Sequence, residues 1–517
     1  MEISVLLFLT SGLFLGWALG ANHLANVFGT AIGTRMLSWT TGAVTCAVFV
    51  VLGSVISGAG PSDTLSRLGA VNAIGGAFMI ALSAGLVMFW MTRLGLPVPT
   101  TQAIVGSIIG WNVFAAAITD AGTLTEIVGA WIAGPLIAAG IAFVLLKLIL
   151  AIRARFRPHL LRADAYTRVG MVLAGAFGAY SLGANNIANV MGVFVPVSPF
   201  TTFSIGGLLS LSSVEQLFLI GSLAIAVGVL TYSHRVIHTV GSELLDMSPL
   251  AAWIVVMAHS MVLFMFSSER LEHLLANLGL PTIPLVPMSS SVVVVGAVIG
   301  IGLQRSGRQI RWRSLGRIGL GWLVTPFLSG LICFIGLFVL QNLFHIPVYR
   351  EIQFALTPAV ESRMAAAGIA MPALADLEGR TFHSAIGFRD ALRRDASLSG
   401  DTERQILSLA EITPIYFDPQ TTAAFDISWL TLRQVAAVRH LAGQRFQAKW
   451  AVADALARAT PDWKLRAETK ANKLHNKQIA EGLSLVYRTF AAPGPAPAVP
   501  LCGCAPQGGE PPPGNRP

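Results

Sequence analysis

The stretch that decides the fold reads Gly20-Ala21-Asn22-His23-Leu24-Ala25-Asn26, and it returns further along the chain as Gly183-Ala184-Asn185-Asn186-Ile187-Ala188-Asn189. We call these stretches the first and second polar phrases. Each lies inside an apolar run long enough to cross a bilayer, where Gly weakens a helix and Asn amides need hydrogen-bond partners. A single copy would indicate a place where small residues let two helices pack closely and Asn forms a hydrogen bond between them. Two copies favour a transporter, because interrupted hydrophobic segments at corresponding positions indicate a binding site.

The composition predicts a membrane protein with an appendage. The chain has 517 residues, of which 54% are hydrophobic and 12% charged, and its mean hydropathy is +0.66. Charges are sparse up to about His345, so we expect a polytopic membrane part followed by a soluble C-terminal region. The first apolar segment follows acidic Glu2 without a basic stretch, which indicates a retained span and not a signal peptide. The pI of 9.8 does not call for nucleic acid, since basic residues in a membrane protein report orientation.

Two short connections rich in arginine predict the orientation. One contains Arg153, Arg155, Arg157, Arg162 and Arg168, and the other contains Arg305, Arg308, Arg311, Arg313 and Arg317. Short basic loops face the cytoplasm. A single span after the second loop then places the C-terminal region on the non-cytoplasmic side of the cell's inner (plasma) membrane.

The first connection divides the chain. We expect a first transmembrane repeat at 1–151, a basic cytoplasmic linker at 152–168, a second repeat at 169–344, a soluble, mainly helical C-terminal region at 345–498 and a disordered Pro/Gly-rich tail at 499–517. Apolar segments predict spans at 3–33, 40–58, 71–92, 98–119, 125–151, 169–195, 201–232, 249–267, 286–303 and 318–344. Helical spacing of apolar residues predicts further helices at 401–412, 427–459 and 463–490.

A second polar signal follows each phrase. It reads Pro97-Val98-Pro99-Thr100-Thr101-Gln102 after the first phrase and Pro287-Met288-Ser289-Ser290-Ser291 after the second, and each precedes an apolar run with Gly at matching offsets. Pro and hydroxyl residues before such a run are typical of a helix N-terminus. At membrane depth that end presents a positive partial charge and free N–H donors to an anion. Either motif alone could equally be an ordinary interfacial cap.

Two such ends, facing each other from inverted halves, would form a cage for a small tetrahedral oxyanion. We predict that its ligands are backbone N–H groups, hydroxyls and amides. The side chains concerned are Asn22, Asn26, Thr100, Thr101, Asn185, Asn189, Ser290 and Ser291.

These motifs resemble the inorganic phosphate transporter (PiT) family over about 1–342. The resemblance rests on both polar phrases, Phe28–Gly33, Leu96–Gly106 and Arg235–Gly241. It implies an all-α polytopic membrane protein with two inverted repeats, broken helices and re-entrant hairpins, commonly a homodimer, that moves phosphate with sodium or protons. Some relatives carry sulfate. The hydroxyls match the family's hairpin tips, and the phrase amides match its motif amides.

One position departs from the family pattern. Where the family usually has Asp after Gly-Ala-Asn, this chain has His23 in the first phrase and Asn186 in the second. His23 could replace the carboxylate as the titrating group, because an imidazole changes charge near neutral pH. Alternatively, the site has changed substrate or lost coupling, since sodium prefers oxygen ligands, or His23 is a structural residue bonded to a carbonyl. We predict a coupling role for His23 and Asn186, with H⁺ or Na⁺ left open.

Three functions follow from the sequence. The first is a secondary transporter of phosphate or a similar oxyanion, the second is a permease for sulfate or another anion, and the third is a transport-inactive receptor that signals through the C-terminal region. An enzyme is not expected, because the spans contain no acid–base pair or metal-ligand set. We therefore predict no catalytic residues, no metal site and no cofactor. The expected partners are an oxyanion, the lipid bilayer and a second copy of the chain, but no nucleic acid.

Overall fold

The computed structural model describes residues 3–94, 99–156, 159–200, 203–205, 209–234, 248–304, 312–366, 369, 377–395, 400–425, 427, 430–467 and 472–491. Several sequence predictions lie outside these residues: Leu96–Val98, Arg157, Arg235–Gly241, Arg305, Arg308, Arg311 and the tail at 499–517.

The membrane part is built almost entirely of helices. It begins with α1 (Ile3–Gly33), α2 (Trp39–Ser57), α3 (Ala59–Leu68), α4 (Ile74–Arg93), α5 (Thr100–Phe114) and α6 (Ala121–Phe156). It continues with α7 (Leu160–Met191), α8 (Ser213–Thr231), α9 (Pro249–Met265), α10 (Glu269–Asn277), α11 (Ser290–Gln304) and α12 (Trp312–Asn342). Among the described residues, 6 helices are long and apolar enough to cross a membrane, or up to 7 if the bent pair α9 and α10 is one span. The chain is therefore a multi-pass membrane protein.

The two polar phrases do not break their helices. The first lies within α1 and the second within α7, and both helices run through their phrase continuously. The prediction of broken helices is therefore wrong at these two places, because the Asn side chains bond to other partners and leave the backbone ladder intact. A break does occur between α9 and α10, which meet at 70°.

The glycine that opens each phrase is a site of close helix crossing. A Cβ atom on Gly20 would lie 2.0 Å from the carbonyl oxygen of Ile225 in α8, and one on Gly183 would lie 2.2 Å from that of Val50 in α2. The partner helices also have a glycine at each crossing. Gly228 of α8 lies against the backbone of Trp17 in α1, and Gly53 of α2 lies against that of Tyr180 in α7. As a result α1 packs on α8, and α7 packs on α2, at main-chain contact.

The two helices that follow the Pro-hydroxyl motifs are packed in a matching way. Gly106 of α5 would place a Cβ 2.1 Å from the carbonyl oxygen of Pro326 in α12, and Gly296 of α11 would place one 2.3 Å from that of Pro135 in α6. Each helix has 15 residues. At 1.5 Å per residue this is roughly 22 Å, shorter than the hydrocarbon core of a bilayer. Both helices therefore begin inside the protein.

Helices α1 and α7 run in opposite directions. Nη1 of Arg168, near the start of α7, donates to the carbonyl oxygen of Met36 just beyond the end of α1, at 2.7 Å. The start of α2 lies near the end of α8, where Nε1 of Trp39 is 3.3 Å from Oγ of Ser233. These contacts gather the C-terminal ends of α1 and α8 and the N-terminal ends of α2 and α7 near one membrane face.

Two predicted spans have different bounds. The segment expected at 201–232 begins with an antiparallel hairpin of β1 (Phe203–Ile205) and β2 (Leu209–Leu211). Helix α8 starts only after Ser212, because the Ser212 hydroxyl and the Glu215 carboxylate form a reciprocal capping box. The segment expected at 98–119 is the shorter helix α5.

The C-terminal region is mainly helical with short strands. Its helices are α13 (Pro358–Ala366), α14 (Ala385–Asp395), α15 (Gly400–Ala410), α16 (Pro419–Ala423), α17 (Leu432–Arg439), α18 (Lys449–Ala459) and α19 (Lys473–Phe490). The strands β3 (Gln353–Ala355), β4 (Thr381–Phe382) and β5 (Glu411–Ile412) form one sheet in the order β4-β3-β5, and β6 (Ile415–Tyr416) pairs with β7 (Arg445–Phe446). The helix predicted at 427–459 is thus wrong in its middle, where β7 separates α17 from α18.

The C-terminal region docks onto the membrane part. Nε1 of Trp111, near the end of α5, donates to the carbonyl oxygen of Val348 at 3.0 Å, and Nη1 of Arg488 donates to that of Val195 at 3.0 Å. Asn72 exchanges two hydrogen bonds with the backbone of Arg350, each of 2.9 Å. A cavity of about 230 Å³ lies at this junction, remote from the polar phrases.

Candidate anion-binding site

Two helix N-termini lie buried in the membrane part. Helix α5 starts at Thr100 and helix α11 at Ser290, and the first two residues of each helix are buried. Thr101 has 0% of its surface exposed and Ser291 has 8%. The first N–H groups of a helix have no acceptor within the helix and carry a positive partial charge. Each start therefore directs donors and hydroxyls into the protein interior.

The last Asn of each polar phrase reaches the helix start that belongs to the other phrase. Nδ2 of Asn26 in α1 donates to Oγ of Ser290 at 2.9 Å. Nδ2 of Asn189 in α7 donates to Oγ1 of Thr101 at 3.1 Å. We call these two hydrogen bonds the crossed contacts. They bring four of the predicted ligands together in two pairs.

The third residue of each polar phrase, an Asn in both copies, has other partners. Nδ2 of Asn185 donates to the carbonyl oxygen of Val286 at 3.1 Å, and its Oδ1 accepts from the backbone N–H of Met288 at 2.6 Å. Nδ2 of Asn22 donates to Oγ1 of Thr92, close to the end of α4, at 3.1 Å. Asn185 thus holds the chain that leads into α11, and Asn22 holds the end of the helix that precedes α5.

His23 and Asn186, for which the sequence predicts a coupling role, have different surroundings. Asn186 accepts from Nδ2 of Asn189 at 3.0 Å and donates to the carbonyl oxygen of Leu182 at 3.2 Å. It therefore orients Asn189. His23 is fully buried, and neither ring nitrogen has a hydrogen-bond partner among the residues that the structure describes. The reading of His23 as a structural residue bonded to a carbonyl finds no such carbonyl within the described ranges.

His259 joins this cluster, and the sequence reasoning missed it. It lies in α9, is fully buried, and places Nε2 2.9 Å from Oγ of Ser290. It is close enough to His23 for the two rings to interact electrostatically. The available signal was an ionisable residue inside an apolar helix, which indicates function by default. His259 belongs to no repeated motif, so a search guided by repeats passes over it.

The remaining groups around the helix starts are neutral. Oγ1 of Thr100 is 3.4 Å from the sulfur of Met88. Oε1 of Gln102 and Oδ1 of Asn189 are buried acceptors without a partner in the described part of the chain. The hydrogen bonds found for seven of the eight predicted ligands and for His259 involve hydroxyl, amide, imidazole, thioether and backbone groups. A cluster rich in hydroxyl and amide donors fits an anion better than a cation.

Within the ranges that the structure describes, metal-ligating side chains do not form a group that could bind a metal ion. No set of three or more His, Cys, Asp or Glu side chains that could hold a metal ion occurs among the described residues. Cys46 and Cys333 are buried and separate thiols.

Comparisons with known proteins agree on one family. The model of the phosphate transporter family matches residues 19–333 and 277–374. The "Putative phosphate permease" of Thermococcus kodakarensis is 25% identical over 408 residues, which cover 64% of this chain and 96% of that protein. The sulfate permease CysP of Bacillus subtilis is 28% identical over 340 residues, which cover 64% of this chain and 85% of the relative.

A solved structure shares the fold. It is described as the sodium-dependent phosphate transporter, and it matches with a TM-score of 0.52 at 21% identity. The match covers 66% of this chain and 99% of the other. The two proteins therefore share a fold over 66% of this chain.

Proposed function

The chain belongs to the phosphate transporter family, and on that premise we propose that it is a secondary transporter that moves inorganic phosphate or a similar tetrahedral oxyanion across the membrane. The observation that carries this proposal is the pair of crossed contacts at two buried helix N-termini. In the proposed transporter the two helix starts face each other near the bilayer midplane and supply donors to the anion from two directions.

The crossed contacts prepare the hydroxyls to bind an anion. Because an amide N–H donates to the oxygen of Thr101, the hydroxyl hydrogen of Thr101 remains available as a donor. The backbone N–H groups of the first turn and the helix dipole add to the attraction. We assign Thr100, Thr101, Ser290 and Ser291 as direct ligands, together with Asn26 and Asn189. Asn22 and Asn185 act on the anion through the segments that they hold.

We further propose that the membrane part consists of two inverted repeats, 1–151 and 169–344, joined by the linker at 152–168. The antiparallel course of α1 and α7 supports this division. So do the glycine crossings, in which α1 packs on α8 while α7 packs on α2. The pairs α4–α5 and α9–α11 would be the two re-entrant hairpins, and rocking of one repeat against the other would expose the site alternately.

The basic loops support an orientation of the protein in the membrane. Arg153 and Arg155 at the end of α6 favour a cytoplasmic linker in the inner (plasma) membrane. The C-terminal region at 345–498 would then lie on the non-cytoplasmic side. The homodimer remains a prediction from the family resemblance, and so does the disordered tail from its composition.

One observation favours phosphate over sulfate. Near neutral pH phosphate carries at least one proton and can donate a hydrogen bond, whereas sulfate can only accept. Oδ1 of Asn189 and Oε1 of Gln102 are buried acceptors without partners in the described ranges, so a protonated oxyanion would satisfy an acceptor that sulfate would leave unpaired. Sulfate is the second candidate, because one relative is named a sulfate permease.

We propose that protons drive the transport. Sodium prefers oxygen ligands. Asn186, at one of the two positions where the family has Asp, already shares its oxygen with Asn189, and the other position is the imidazole of His23. An imidazole binds protons and attracts an anion once it is charged.

Uptake into proteoliposomes tests the function. Radiolabelled phosphate and sulfate are offered under separately imposed proton, sodium and voltage gradients. We expect phosphate uptake that responds to the proton gradient and not to sodium. Sodium-dependent phosphate uptake would overturn proton coupling, faster sulfate uptake would reverse the choice of substrate, and binding without flux would favour a receptor that signals through the C-terminal region.

A further inference from the structure

We propose that His259 is the proton site of this transporter and that its protonation turns the Ser290 hydroxyl from the imidazole toward the bound anion. This inference rests on the proposed function, because it describes how the same site couples anion binding to proton binding. It assigns the proton to a residue outside both polar phrases.

The geometry joins His259 directly to a ligand of the anion. Oγ of Ser290 lies 2.9 Å from Nε2 of His259 and 2.9 Å from Nδ2 of Asn26. Ser290 is the first residue of α11, so its hydroxyl stands at the helix N-terminus. His23 has no such hydrogen bond to a predicted ligand within the described residues.

The Ser290 hydroxyl can change its hydrogen-bond partner when His259 gains a proton. Nδ2 of Asn26 can only donate, so the oxygen of Ser290 must accept from it. When neutral His259 carries its hydrogen on Nδ1, Nε2 accepts the single hydroxyl hydrogen of Ser290, and that hydrogen is then lost to the anion. If His259 is protonated, Nε2–H donates to Ser290 instead. The oxygen of Ser290 then accepts from both sides, and its own hydrogen is free to bond to the anion.

Charge makes this exchange reciprocal. A buried imidazolium is costly when it is unpaired, and an anion at the start of α11 would compensate it. Proton binding therefore strengthens anion binding, and anion binding strengthens proton binding by the same factor.

His23 is a buried titratable residue that interacts electrostatically with His259. Helices α1, α6, α7 and α11 pack against α9. His23 is the one titratable residue in the sequence of α1, and the sequence of α11 contains none. In α6 the charged side chains of Glu126, Lys147, Arg153 and Arg155 are exposed, and in α7 Asp164 pairs with Arg168 near the helix start while Tyr180 bonds to Ser57. Because two buried imidazolium ions would repel each other, we expect His23 to stay neutral when His259 is protonated.

The test compares proton uptake on anion binding in matched variants of the full-length protein. Inorganic phosphate is titrated into the purified protein between pH 6 and 8.5, and bound phosphate and absorbed protons are measured together. Phosphate itself also exchanges protons when it binds, and this contribution cancels when two variants are compared at the same pH. We expect the wild type to absorb about one more proton per bound phosphate than His259→Gln. Above the pH range in which His259 titrates, the phosphate affinity of the wild type, divided by that of His259→Gln, should fall about tenfold per pH unit.

The control variants separate this role from others. His273→Gln, the same change in α10 outside the cluster, should behave as the wild type. His23→Gln should keep the extra proton. Ser290→Ala should bind phosphate more weakly and lose the extra proton, which tests the switch even if His259→Gln does not fold.

The outcomes are distinct. Proton uptake that persists in His259→Gln or in Ser290→Ala would overturn the inference. Loss of proton uptake in His23→Gln alone would also overturn it. Neither result would contradict the proposal that the protein transports an anion. If the folded wild type bound neither phosphate nor sulfate, the proposed function would fail and the inference would fall with it.

Discussion

At the scale of single residues, the site depends on which hydrogen-bonding groups are already engaged. The amide nitrogens of Asn26 and Asn189 are committed to hydroxyl oxygens, whereas the oxygen of Asn189 and the ring nitrogens of His23 are buried without partners in the described residues. Unsatisfied buried polar groups are costly. In the proposed transporter, a proton carried by the bound oxyanion would satisfy the oxygen of Asn189.

Removing a crossed contact should weaken anion binding. Asn189→Ala deletes the donor that orients Thr101 and leaves the Asn186 oxygen without that partner. A hydrogen bond to a charged ligand contributes roughly 1.5–3 kcal/mol, so we expect phosphate affinity to fall by about ten- to a hundredfold. Equilibrium binding of labelled phosphate to the purified protein measures this. Asn342→Ala, which removes an exposed amide at the end of α12, is the matched control and should leave the affinity unchanged.

Some of these residues could be predicted from the sequence and others could not. The duplication of the polar phrases and of the Pro-hydroxyl motifs identified Asn26, Asn189, Thr101 and Ser290, because each type of residue recurs at a fixed place. It could not say that the contacts cross between phrases, since that depends on the packing of α1 and α7. His259 belongs to no repeated motif, and only its distance to Ser290 connects it to the site.

At the scale of helices, the polar phrases combine two roles at adjacent positions. Gly20 and Gly183 let another helix approach to main-chain contact, and the Asn residues that follow bond across the resulting interfaces. The sequence indicated weakened helices here, but α1 and α7 are continuous. A glycine lowers helix propensity by only about 1 kcal/mol, which close packing can offset.

Filling one crossing should therefore destabilise the fold. Gly183→Ala would place a methyl group 2.2 Å from the Val50 carbonyl oxygen and push α2 away from α7. Overpacking of this kind costs about 1–3 kcal/mol. Gly140→Ala in α6 is the control, because nothing lies within 4 Å of its Cβ position. Thermal unfolding in detergent should show a lower Tm for Gly183→Ala and an unchanged or higher Tm for Gly140→Ala; equal values would contradict the crossing.

The last helix of the C-terminal region should respond to high pH. Burial, reinforced by the nearby charge of Asp454, raises the pKa of Tyr487 to about 12. An unfolded tyrosine ionises near pH 10, so the folded state loses stability as the pH rises from about 10 to about 12. Urea unfolding of the full chain, followed by tryptophan fluorescence, should show this loss in the wild type. In Tyr487→Phe the loss over that interval should be smaller, and an identical pH profile would show that Tyr487 does not contribute.

At the scale of the whole molecule, a membrane transporter core carries a docked C-terminal region at one face. The contacts of Val348, Arg350 and Arg488 bind that region to the ends of α5 and α7 and to the segment before α4. Hydropathy and charge predict a membrane part followed by a C-terminal region. They could not predict the short strands β3 to β7, because pairs of two or three residues are formed by tertiary contacts and leave little pattern in the sequence.

The arrangement predicts the sidedness of the protein. In a variant lacking Cys502 and Cys504, Ser408→Cys in the C-terminal region should react with a membrane-impermeant maleimide added to intact spheroplasts. Arg155→Cys at the end of α6 should react only after the membrane is permeabilised. The reverse labelling pattern would contradict the orientation drawn from the basic loops.

The central claim is that two buried helix N-termini hold the anion together, and binding of radiolabelled phosphate to hydroxyl variants tests it most directly. Thr101→Val and Ser291→Ala each remove one hydroxyl from a different helix start, while Thr125→Val removes an exposed hydroxyl of α6 as the control. We predict that both site variants bind phosphate about tenfold or more weakly than the wild type and that the control does not differ. Unaltered affinity in both site variants would contradict the account.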